Sequence, residues 1–150
     1  MQRARAALLL FAAVLGGAAS FARAETPFTG PYAAEVLRVV DGDTFDARIE
    51  VWPSVLVEIR VRLKGVDTPE TLKARCRAER DLGERATAYA RAQLSGRPVS
   101  VRDLSRDKYG RTLARAFVGE EELAALLIAQ GLARAYDGGR RAGWCEGKRP

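Results

Sequence analysis

The stretch VLVEIRVRLKGVDTPE, residues 55–70, decides the fold. Over Val55–Val66, the residues Val57, Ile59, Val61 and Leu63 share one face, and Glu58, Arg60, Arg62 and Lys64 share the other. That is the two-residue period of a half-buried strand. The pattern stops at Asp67-Thr68-Pro69-Glu70, which reads as a helix start, with proline at the first helical position and Glu70 near the positive end of the dipole. The junction also places two carboxylates three positions apart, five residues downstream of an arginine.

Working outward, Tyr32–Val40 and Thr44–Val51 alternate as two earlier strands. They are joined by the hairpin dipeptide Asp41-Gly42, and the turn Trp52-Pro53-Ser54 leads into the third strand. Thr71–Arg77 is charged, carries Cys76 and reads as loop or frayed helix. From Ala78 to Leu94, the residues Leu82, Ala86, Tyr89, Ala90 and Leu94 keep helical spacing, ended by Ser95-Gly96-Arg97-Pro98. Val99–Leu104 and Arg111–Val118 read as a hairpin around Asp107-Lys108-Tyr109-Gly110, and Glu120–Gln130 as a helix closed by Gly131. The Gly- and Arg-rich tail, Ala133–Pro150, reads as irregular. Three strands, a helix, two strands and a helix predict an α+β, mainly β fold: a five-stranded barrel of the oligonucleotide/oligosaccharide-binding (OB) type, capped by two or three helices.

Residues 1–24 read as a separate segment. Arg3 and Arg5 precede the apolar run Ala6–Ala19, and Ala22-Arg23-Ala24 fits a signal-peptidase site, so cleavage is expected before Glu25. The alternative is an uncleaved N-terminal anchor. On the first reading the domain is 25–150, exported to a periplasm or the medium, with no stable membrane association afterwards. The chain has 25 Lys+Arg and 19 Asp+Glu; the segment holds three of the arginines and no acid, which leaves 22 against 19. A mildly basic domain permits a polyanionic partner without requiring one.

Histidine is absent. This excludes Ser–His and Cys–His nucleophile pairs and the usual His/Cys zinc sites. A general base must then be a carboxylate, lysine or tyrosine, and a metal must be held largely by oxygen. The two cysteines, Cys76 and Cys145, read as a disulfide in an exported protein, worth about 4 kcal/mol by chain entropy. Two free thiols are the alternative.

Each polar motif alone has a structural explanation: a hairpin turn at 41–44, a helix cap at 67–70, a wet strand face at Arg62, a polar turn at 107–111. Together they supply what phosphodiester hydrolysis needs: oxygen ligands for a hard cation, a base for water, and arginines for phosphoryl oxygens. The ordered set DGDT (41–44), Arg62 five residues before DTPE (67–70), DKYGR (107–111) and QGLARAY (130–136) resembles the staphylococcal nuclease (thermonuclease) family. The resemblance covers about Tyr32 to Tyr136. It implies an OB-type barrel and Ca2+-dependent cleavage of the P–O5′ bond in DNA and RNA, single-stranded or locally unpaired, by a monomer.

Residue by residue, Asp43 and Asp67 resemble the family's calcium carboxylates and Thr68 its carbonyl ligand. Glu70 resembles the general base, and Arg62 and Arg111 the phosphate-binding arginines. Lys108 and Tyr109 match residues near a terminal phosphate, and Tyr136 a tyrosine beside the base. The chain departs from the pattern at TLKARCRAERDLG (71–83), in a one-residue deletion near Tyr136, and at DGGRRAGWC (137–145), which is too short for a third helix. The last segment is expected to pack through Trp144 and a Cys145–Cys76 bridge. The competing functions are a nucleic-acid-binding OB module that does not cut, and an exported adaptor for a protein partner.

Overall fold

The computed structural model describes residues 28–145. The expected leader, 1–24, lies outside them, as does the end of the tail. The chain runs β1 (Tyr32–Asp41), β2 (Thr44–Trp52), β3 (Val55–Leu63), β4 (Val66–Asp67), α1 (Arg77–Leu94), β5 (Val99–Arg106), β6 (Thr112–Val118), β7 (Glu121–Glu122), α2 (Leu123–Ala129) and β8 (Arg134–Ala135). The main sheet has the order β3-β2-β1-β5-β6-β7, and β3 also pairs with β6 in parallel, from Val61↔Thr112 to Leu63↔Ala114. That last pairing closes five strands into the expected barrel and satisfies the backbone edges an open sheet would expose.

Inward-facing Phe45, Ala47 and Ile49 of β2 meet Val61 and Leu63 of β3, Val101 of β5, and Ala114 and Ala116 of β6. Ala86 and Leu94 of α1, with Leu123 and Leu127 of α2, cover the barrel. Two helices are present among the described residues, and none is long and apolar enough to cross a membrane.

Four expectations are corrected. The strand expected over 55–66 ends at Leu63, because Lys64-Gly65 turn with Gly65 at φ +73°, and β4 then pairs with β8 in the tail expected to be irregular. The helix start expected at Thr68 is absent: α1 begins at Arg77, one residue before the periodic run expected from Ala78, while Thr68 donates its amide and hydroxyl to the distant Asp43 carboxylate, holding 67–70 as site backbone. The helix expected from Glu120 begins at Leu123, because Glu121 and Glu122 pair with Val118 and Phe117. Arg62, expected on a wet face, is only 6% exposed, while Val55, Leu56 and Val57 at the start of the same strand stand in solvent. The expected alternation is not kept along β3: its first residues are exposed on both faces, and Val61, Arg62 and Leu63 at its end are buried on both.

Candidate functional site

The site begins at the β1–β2 turn. The Asp41 carboxylate accepts the Asp43 amide at 3.1 Å, which shapes the turn and points the Asp43 side chain inward. Asp43 Oδ2 accepts the Thr68 amide at 3.0 Å and its hydroxyl at 2.8 Å, and Oδ1 accepts the Thr44 hydroxyl at 3.1 Å. Two distant motifs, DGDT and DTPE, are thereby joined by one carboxylate.

Arg62 lies opposite Thr44 in the β2–β3 ladder, which directs its guanidinium at that carboxylate. Its Nη1 is ion-paired with Asp43, and its Nη2 lies 3.8 Å from Asp67 Oδ1 and donates to the Val66 carbonyl at 3.3 Å. Asp43, Arg62 and Asp67 are all buried. Two buried carboxylates flanking one guanidinium leave an excess of negative charge, and Asp67 Oδ1 has no aligned hydrogen bond. Asp41 adds a third carboxylate behind them: burial, then the charge of Asp43, pushes it up to about 6.

Two glycines allow this approach. A Cβ on Gly42 would lie 2.8 Å from the Ala86 Cβ and 3.0 Å from the Thr68 Cγ2. One on Gly83 of α1 would lie 2.7 Å from the Pro69 carbonyl oxygen and 2.8 Å from that of Glu70. The helix packs directly on the backbone that carries the carboxylates.

Glu70 stands at the mouth of this cluster, 39% exposed at its side chain. Beyond it opens a cleft of about 920 Å3 lined by Arg62, Lys108, Tyr109, Arg111, Tyr136 and Arg141, among others. The turn holding the second group is organised by Asp107, which accepts the Tyr109 and Arg111 amides at 2.9 Å each and Arg111 Nε at 2.7 Å. Burial pushes the Asp107 carboxyl up, but these donors outweigh it and hold it below its ordinary value. Lys108 and Arg111 both lie against the Tyr109 ring, at 5.1 and 5.5 Å.

Sequence reading therefore named residues that the fold gathers into two groups. Asp43, Arg62, Asp67, Thr68 and Glu70 converge; Lys108, Tyr109, Arg111 and Tyr136 line the adjoining cleft, with Arg111 held by Asp107 rather than by the carboxylates. Tyr136 donates its hydroxyl to the Gly139 carbonyl at 2.7 Å. Cys76 and Cys145 are bridged, across 69 positions.

Sequence reading missed Asp41, the two close-packed glycines and Arg141. Arg141 reaches Asp67 Oδ1 at 2.5 Å and Glu70 Oε1 at 2.7 Å, and Trp144 Nε1 donates to Asp67 Oδ2 at 3.2 Å. For Arg141 the only sequence signal is its place in the short segment before Cys145.

The donor set is all oxygen: two buried carboxylates, one with an oxygen lacking an aligned hydrogen bond, beside the Thr68 backbone. Such a set fits a hard cation that completes its shell with carbonyls and water. The cluster of Cys76, Glu79 and Cys145 does not, because its two sulfurs are bonded to each other.

Residues 60–145 match the staphylococcal nuclease homologue family. The thermonuclease of Staphylococcus intermedius is 39% identical over 106 residues, covering 67% of this chain and 57% of that protein. Protein ParB of Escherichia coli is 34% identical over 111 residues, covering 68% and 56%. The micrococcal nuclease of Shigella flexneri is 30% identical over 119 residues, covering 73% and 62%. The chain thus spans little more than half the length of these curated relatives. It belongs to the staphylococcal nuclease family.

Proposed function

We propose that the protein is a Ca2+-dependent nuclease that hydrolyses phosphodiester bonds of DNA and RNA with little sequence preference. The observation that carries this reading is the buried Asp43–Arg62–Asp67 cluster, two carboxylates about one guanidinium, beside a cleft lined by arginine, lysine and tyrosine. A module that only bound nucleic acid would gain nothing from carboxylates beside phosphate, since without a cation they repel it. The names of the thermonuclease and micrococcal nuclease relatives support the same reaction class.

Asp43, Asp67 and the Thr68 carbonyl would hold the Ca2+, which when bound supplies positive charge beside the scissile phosphate. Glu70, at the mouth, takes the proton of the attacking water. Arg62 and Arg111 donate N–H groups to the phosphoryl oxygens, where charge builds in the transition state. For Arg111 this exchanges the Asp107 carboxylate for a phosphate oxygen. Water adds to phosphorus, the P–O5′ bond breaks, and the departing 5′ oxygen takes up a proton, leaving a 3′-phosphate. Lys108 and Tyr109 bind a neighbouring phosphate, and Tyr136 stacks on a base, which tolerates any sequence. A carboxylate near its ordinary pKa is a weak base at neutral pH. Orientation and charge stabilisation therefore supply most of the acceleration.

The reading includes export. Residues 25–150 form the working domain, a monomer released from the leader 1–24, and the Cys76–Cys145 bridge supports an oxidising compartment. Protein recovered from the periplasm or medium should begin at Glu25 on N-terminal sequencing.

The test is cleavage of labelled single-stranded DNA with Ca2+, with excess chelator, and by Glu70→Gln. Cutting should require Ca2+ and fall roughly 10²–10⁴-fold in the variant. A folded protein that retains the strand without cutting it would instead establish the binding module.

A further inference from the structure

The segment after β8 returns to the carboxylates and is fastened there. Cys145 is bonded to Cys76, immediately before α1. The Arg134 guanidinium lies 3.6 Å from the centre of the Trp144 ring and donates to the Gly143 carbonyl at 2.8 Å, so the strap is also held from the barrel side. Between these anchors Arg141 places Nη1 2.7 Å from Glu70 Oε1 and Nη2 2.5 Å from Asp67 Oδ1. Asp67 Oδ1 is the buried oxygen without an aligned hydrogen bond, the one best suited to a metal. The guanidinium itself is not locked in: its side chain is 42% exposed.

From this arrangement we infer that Arg141 sets the cation affinity of the site: it is a tethered counter-ion for Asp67 and Glu70 that a divalent cation must displace. The inference rests on the Ca2+ reading above. A guanidinium and a divalent ion compete for one carboxylate oxygen, and the positive charge left nearby continues to repel the ion after displacement. The strap keeps the guanidinium at high effective concentration, because ring closure through the disulfide leaves it little space to explore. Arg141 thus tunes the affinity of the site for its cation, and its half-exposed side chain leaves it room to swing aside.

The experiment is calorimetric titration of the purified protein with Ca2+, in the absence of nucleic acid. Arg141→Ala should bind Ca2+ about tenfold more tightly than wild type, the expected result of removing one nearby positive charge at this partial burial. Arg141→Lys, which keeps the charge, should stay within a few-fold of wild type by the same reasoning. Arg140→Ala, on the same strap but outside these ion pairs, should match wild type. The double substitution Cys76→Ser with Cys145→Ser should approach the affinity of Arg141→Ala, by freeing the strap.

Unchanged or weaker binding in Arg141→Ala overturns the inference while leaving the nuclease reading intact. Wild-type affinity in the double cysteine variant overturns the role of the tether. If neither wild type nor Arg141→Ala binds Ca2+, the metal reading itself falls, and the inference with it.

Discussion

The same chemistry occurs on two sides of the barrel with opposite consequences. On the outer face of β1–β3, Arg38 and Arg60 both clasp Asp46, at 2.8 and 2.6 Å, and Arg48 joins Glu35 to Glu58, at 3.1 and 2.7 Å. These arginines stand in solvent and every carboxylate has its partners. At the barrel end, Arg62 is likewise shared by two aspartates, but all three are buried, and both Arg62 Nη1 and Asp67 Oδ1 lack an aligned hydrogen bond. The outer ladder is arranged for solubility and register, since exposed pairs contribute little. The inner cluster keeps charge out of water and depends on Arg62 and Arg141 to balance it, which makes it sensitive to an added cation. Burial, more than residue type, separates a structural ion pair from a reactive one.

The largest effect is expected from Arg62→Met. Removing the guanidinium leaves Asp43 buried without its cation, while Asp67 keeps Arg141, and should cost about 3–5 kcal/mol of stability. Urea unfolding measures this, and if the carboxylates bind Ca2+, added Ca2+ should recover part of the loss. An equal loss with and without Ca2+ would separate the cluster from metal binding.

A smaller effect is expected from Gly83→Ala. Alanine favours the helix by roughly 1 kcal/mol. Here, however, its methyl would press on the Pro69 and Glu70 carbonyls, and overpacking of this kind costs about 1–3 kcal/mol. A lower midpoint in urea together with reduced cleavage is expected, because the displaced backbone carries Glu70. A gain in stability would show that α1 can withdraw without disturbing the site.

The smallest effect belongs to the ladder. Hydrogen bonds from Arg60 and then Arg38 hold the Asp46 carboxyl at about 2, below the ordinary 3.8. Its folded pKa is depressed, so its stabilisation is present above about 4 and is lost as pH falls towards 2. Asp46→Asn should therefore lower stability at pH 7 by less than about 1 kcal/mol, with the difference from wild type shrinking through that acid window. Denaturation midpoints at pH 7, 4 and 3 measure it. A large loss at pH 7 would mean that the outer ladder contributes as a buried network does.

The barrel strands are readable where one face meets the core: alternation over Thr44–Ile49 reports burial directly, whereas at Val57–Leu63 it marks a strand without marking which side chains are buried. Asp43, Asp67, Glu70 and the cleft residues at 108–111 were readable as a set, because their types and order match one chemistry. The helix expected at Thr68 failed for a specific reason. A threonine followed by proline satisfies local capping rules, but here the segment is anchored to Asp43, 25 positions away, and helical backbone begins only at Arg77.

Residue type and local spacing account for the strands, the absence of histidine chemistry, the oxygen-only character of the candidate ligands and the order of the motifs. Tertiary structure alone decided that Arg62 is buried, that Gly42 and Gly83 must lack side chains, and that Arg141 meets Glu70 across 71 positions. Those facts depend on which surfaces the closed barrel and the Cys76–Cys145 bridge bring together. Long-range proximity of this kind leaves no period in the chain, because the energy that fixes it comes from closure and burial rather than from neighbouring residues.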